Sequence, residues 1–121
     1  MYNIFNNPEQ QEKFEQEGFT TLPALLNETE IDELKAIYLQ YTQGNVKNSI
    51  YGMYVSIDEA DERKKLEMMK SIQQFLKPKL SKYLHNIKCH LGAFLVKVPN
   101  PNSYTYPHQD WLFVDNNAPE L

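Results

Sequence analysis

The sequence holds a single cysteine, Cys89, in 121 residues. One thiol excludes an internal disulfide framework and a metal site built from cysteine alone. Long apolar runs are missing too. The longest, around Leu91–Val98, is interrupted by Lys97 and falls far short of the roughly 18 residues a membrane span needs. Nor is there an excess of positive charge: 12 Lys+Arg stand against 16 Asp+Glu, a formal net charge of −4. That balance argues against a broad phosphate-binding surface, and so against nucleic acid as a partner. The opening residues, Met1 to Pro8, lack both a basic segment and an apolar core, so nothing marks the chain for secretion. Internal repeats and low-complexity tracts are absent as well. The expectation is a soluble cytoplasmic protein with no membrane partner, folded as one domain over residues 1–121.

What is present is ordinary in bulk and uneven in detail. Hydrophobic residues at 41% and charged residues at 23% suit a globular protein rather than a disordered one. Fifteen aromatics, eight of them tyrosine, favour strands and a pocket wall over a plain helical bundle.

The first two thirds of the chain carry helix signals. Pro8 to Glu17 reads as a short helix, with proline at its start and Gly18 as its stop. Phe19 to Pro23 looks extended. Asn27 followed by Glu30 resembles a capping box opening a second helix, with Ile31, Leu34, Ile37, Tyr38 and Tyr41 as its apolar stripe and Gly44-Asn45 as its end. Ser49 to Ile57 has no helical period and is expected as strand or loop. Asp58 to Leu76 is the longest helical stretch, with Leu66, Met69, Ile72, Phe75 and Leu76 on its buried side and Arg63-Lys64-Lys65 on a solvated one. Pro78 should break or kink the pattern, which Leu80, Tyr83 and Leu84 continue for two turns. From Ile87 the character changes. Phe94–Val98 reads as a strand, Pro99–Ser103 as a turn-rich loop, and Tyr104–Val114 as extended again. The fold class expected is α+β, helical over 1–86 with a β core starting at 87–115.

Chemistry concentrates in Tyr106-Pro107-His108-Gln109-Asp110-Trp111-Leu112-Phe113-Val114-Asp115. In a strand, residues two apart point to the same face, so His108 and Asp110 direct an imidazole and a carboxylate to one point. Such a pair forms two corners of the 2-His-1-carboxylate facial triad that holds non-haem Fe(II). Trp111 and Phe113 face away by the same alternation. The spacing is not selective by itself, and a strand-end histidine hydrogen-bonded to a neighbouring aspartate gives the same pattern.

The surrounding residues sharpen it. The decapeptide resembles the first metal-ligand motif of the phytanoyl-CoA dioxygenase family, in which His-Gln/Thr-Asp is followed by an aromatic and then a second acid. Gly18-Phe19-Thr20-Thr21-Leu22-Pro23 and Glu28-Thr29-Glu30-Ile31-Asp32-Glu33-Leu34 resemble the family's N-terminal segments, in the same order. The resemblance covers most of residues 9–43 and 92–115. It implies a double-stranded β-helix (jelly-roll, cupin-like) barrel preceded by helices, and an oxygenase that uses Fe(II) and 2-oxoglutarate to hydroxylate a small-molecule substrate. His108 and Asp110 map onto its first two metal ligands. The family's second histidine and its 2-oxoglutarate arginine lie further along, and neither residue type follows Asp110 here. The barrel is therefore expected to be incomplete in this chain and the chain alone inactive. It is expected as part of a longer protein, or as a homo-oligomer formed through open strand edges.

Lys97, on the strand before the motif, offers a charge to a bound 2-oxoacid, although a surface lysine on an edge strand is the plainer reading. Tyr104, Tyr106 and Trp111 are pocket-wall or core residues. His85 is expected at a helix end, His90 on a strand surface, and Cys89 as an inert half-buried thiol. Two rival functions remain: a metal-free binding module, and a cupin-like metalloenzyme that does not use 2-oxoglutarate.

Overall fold

The computed structural model describes residues 3–45 and 52–97, together with Pro99 and Pro107. Helix α1 runs Pro8–Glu17, and Asn7 caps it by accepting a hydrogen bond from the Glu9 backbone N–H at 2.8 Å. Gly18 ends the helix at φ 77°, in the left-handed region that glycine enters without strain. Residues 19–22 follow as irregular chain and pair with no strand among the described residues. Helix α2 spans Glu28–Thr42 and opens on the expected capping box: Asn27 Oδ1 accepts from the Glu30 N–H at 2.9 Å, and Glu30 accepts from the Asn27 N–H at 3.0 Å. It stops at Thr42, with Gln43 and Gly44 both at positive φ.

A short strand, β1, occupies Met53–Val55, within the Ser49–Ile57 segment expected as strand or loop. One 3-10 turn at Ser56–Asp58 leads to helix α3, Glu62–Leu80, capped by Asp61. The helix starts four residues later than its sequence pattern suggests, because Asp61 caps it by accepting from the Lys64 N–H. Pro78 does not break it. The proline lies in the last turn, where its missing N–H removes one helical bond, and Ser81 closes the end by donating N–H to the Lys77 carbonyl at 3.0 Å. Nor does the helix extend through Tyr83 and Leu84. Residues 81–83 form turns, because the N-terminal segment takes that backbone as its partner. Asn6 donates from its N–H to the Tyr83 carbonyl at 2.8 Å and from Nδ2 to the Lys82 carbonyl at 3.0 Å, and Phe5 bridges Leu84.

Strand β2, Leu95–Lys97, pairs antiparallel with β1 in the register Met53–Lys97, Tyr54–Val96 and Val55–Leu95. One edge of β2 is thus covered within the chain. The architecture is a small α+β arrangement of three helices and a two-stranded antiparallel sheet among the described residues.

The core lies between α3, α2 and the sheet. Met68 is fully buried, and with Ile72 and Tyr54 it forms a cluster against which Tyr38, Tyr41, Leu76, Phe94 and Val96 pack. Tyr38 meets Tyr54 and Phe94 edge-on, at 6.1 and 5.6 Å between ring centres. The inner line of α3 is therefore Met68, Ile72 and Leu76. Leu66, assigned to that side from sequence, is 46% exposed. It stands two residues before Met68, about 200° round the helix. In the Arg63-Lys64-Lys65 run, expected on a solvated face, Arg63 is exposed but Lys64 and Lys65 are half-buried, and the three pair with Glu67, Glu59 and Glu62 respectively.

Candidate functional site

His108, Asp110, Tyr104, Tyr106 and Trp111 lie outside the described residues. The sheet has two unlike faces. Tyr54 and Val96, opposite one another, turn toward α2 and α3. By alternation Met53, Val55, Leu95 and Lys97 take the other face. Lys97 ends β2 there, exposed, and makes no ion pair among the described residues. It is the one sequence-chosen site residue that the structure places, and it points away from the helices.

The remaining candidates are dispersed. His85 follows α3, with Nδ1 2.7 Å from Asn6 Oδ1 and its N–H donated to the Ile4 carbonyl at 2.9 Å. It fastens the N-terminal segment. His90 is exposed in irregular chain rather than on a strand. Cys89 is exposed, not half-buried, because residues 87–90 run along the surface of α3 instead of entering the sheet. No group of three or more His, Cys, Asp or Glu side chains that could hold a metal ion occurs among the described residues.

Electrostatics in the described part serve structure. Burial pushes the Tyr54 phenol above its ordinary value. The Lys64 ammonium, hydrogen-bonded at 2.7 Å, holds Glu59 below the usual carboxylate range. Glu30 is lowered first by the Asn27 N–H and further by Lys79, 3.4 Å away at the end of α3. One carboxylate thus caps α2 and ties it to α3. Sequence inspection found the capping box but not the tie, which spans 49 positions.

No helix among the described residues is long and apolar enough to cross a membrane. No family model, no curated protein and no solved structure matches the chain.

Proposed function

We propose that this chain supplies two ligands, His108 and Asp110, to the non-haem Fe(II) centre of a 2-oxoglutarate-dependent oxygenase of phytanoyl-CoA dioxygenase type acting on a small molecule. The observation that carries the reading is His108-Gln109-Asp110 followed by an aromatic and a second acid, downstream of the Gly18–Pro23 and Glu28–Leu34 segments in matching order. The donor set fits the metal: a neutral imidazole nitrogen and a hard carboxylate oxygen suit Fe(II). When bound, the iron with 2-oxoglutarate supplies the activation of O₂ needed to hydroxylate an aliphatic carbon. His108 binds through a ring nitrogen and must be neutral to do so. Asp110 binds as the carboxylate and offsets one of the two metal charges.

The arrangement of the sheet supports a role for Lys97. Helices back the face that carries Tyr54 and Val96, with Tyr38 and Phe94 sealing it from water. In a barrel with helices outside, the opposite face is the interior, and Lys97 stands on it. Its ammonium would offer a charge to a bound 2-oxoacid there.

The test is anaerobic titration of Fe(II) and 2-oxoglutarate into the protein expressed from its complete gene. A visible charge-transfer band is expected from chelation of the iron by the 2-oxoacid. His108→Ala and Asp110→Ala should each remove the band and the 2-oxoglutarate-dependent uptake of oxygen. Retention of either signal in both variants means the ligands are elsewhere, and no band in the unaltered protein ends the oxygenase reading.

A further inference from the structure

Helix α3 carries a second organised face that the metal reading does not use. Lys70, Gln73, Gln74 and Lys77 stand at i, i+3, i+4 and i+7, a spacing that puts them on one side of the helix. That side is roughly 150° round from the Met68–Leu76 line. Together with Lys88 they line a groove of ≈ 340 Å³, whose other wall is the surface segment carrying Ile87 and Cys89. Gln73 Nε2 donates to the Cys89 carbonyl at 3.5 Å and holds that wall against the helix.

The groove differs from the rest of α3 in how its charges are matched. Lys64, Lys65 and Lys79 on the same helix each have a carboxylate within 4 Å. Lys70, Lys77 and Lys88 have none among the described residues, and no lining residue is acidic. In a chain of net charge −4, three unmatched ammonium groups and two side-chain amides facing one space form a local reversal of sign.

We infer that this groove binds a small molecule bearing two or more linked phosphoryl groups. Lysine meets phosphate as a mobile point charge, and the glutamine amides donate to its remaining oxygens. Lys70 and Lys77 are about 10 Å apart along the helix axis, so a chain of phosphoryl groups meets both at once where a single phosphate does not. The acidic balance of the whole chain repels a long polyanion, so the ligand is small and the site local.

Isothermal titration of inorganic triphosphate into the 121-residue chain tests the assignment, against a control variant with the same charge change. The site variant is Lys70→Gln with Lys77→Gln and Lys88→Gln; the control is Lys13→Gln with Lys35→Gln and Lys82→Gln. Glutamine keeps the helix propensity of lysine, and circular dichroism checks the fold of both. Saturable one-to-one binding is expected, weakened about tenfold in the site variant, since each exposed ion pair contributes only a factor of about 1.5 to 5. The control should stay within about twofold, and orthophosphate should bind far more weakly than triphosphate. Absence of saturable binding overturns the inference, as do equal losses in both variants. Tighter binding of a short single-stranded RNA through the same lysines overturns it too.

Discussion

At the scale of single residues, the fold rests on positions whose importance their residue type does not announce. Gln11 is buried, and its Oε1 accepts from the Ile4 and Phe5 N–H groups at 2.9 and 3.1 Å, holding the N-terminal segment to α1. A glutamine in a polar helix reads as solvated, and nothing local distinguishes it. Gly92 is another such position. A Cβ there would stand 3.0 Å from Ile72 Cγ2 and 3.2 Å from the Met69 carbonyl, so the chain crosses α3 where a methyl group fits only if its neighbours shift. Ile72 is itself buried in the core and has little room to retreat. Gly92→Ala is expected to cost about 1–3 kcal/mol by overpacking. Urea unfolding followed by circular dichroism measures it, and a loss below about 0.5 kcal/mol would show that the crossing relaxes freely.

At the scale of elements, local signals were legible wherever the chain's neighbours in sequence decide the outcome. Pro8, Gly18 and the Asn27–Glu30 box set helix ends that agree with their sequence signatures, because these ends are decided within four residues. The end of α3 was not legible, since the partners of residues 82–84 come from Phe5 and Asn6 at the far end of the chain. The ion pairs of Glu30 and Glu59 give the elements a pH dependence. Both carboxyls are lowered in the folded protein from 4.5, so the folded state prefers them charged. Their contribution is complete above that pH and is lost as pH falls through the lowered folded values. The melting temperature is expected to be flat above about pH 5 and to fall below 4.5. Glu30→Gln with Glu59→Gln should lower the plateau but flatten the acid limb, glutamine at 30 still serving the capping box. An acid limb of unchanged steepness would place the titrating groups elsewhere.

At the scale of the whole molecule, a periodic pattern reports that a helix has an inner face but fixes its direction only loosely. Leu66 and Met68 are both apolar and near the same turn of α3, and hydrophobicity alone ranks leucine as the better core residue. The sheet decides otherwise: Tyr54 on β1 lies over Met68, its hydroxyl 4.0 Å from the sulfur, and the aromatic side chains of α2 close the other side. His108 and Asp110 are a different case, chemistry read from spacing alone, since both lie outside the described residues. The buried hydrophobics among the described residues are Phe5, Met53, Tyr54, Met68 and Ile72, so the molecule depends heavily on each. Small domains have only about 5–15 kcal/mol in hand. Met68→Ala, which empties the one fully buried large side chain among the described residues, is expected to cost about 2–5 kcal/mol and to lower the unfolding midpoint of all elements together. Leu66→Ala, on the exposed side, should stay within about 0.5 kcal/mol. Urea midpoints for the two variants, read by far-ultraviolet circular dichroism and by tyrosine fluorescence, separate the alternatives. Comparable losses in both would return α3 to the orientation its sequence pattern suggests, and with it the face that presents Lys70 and Lys77 to the groove.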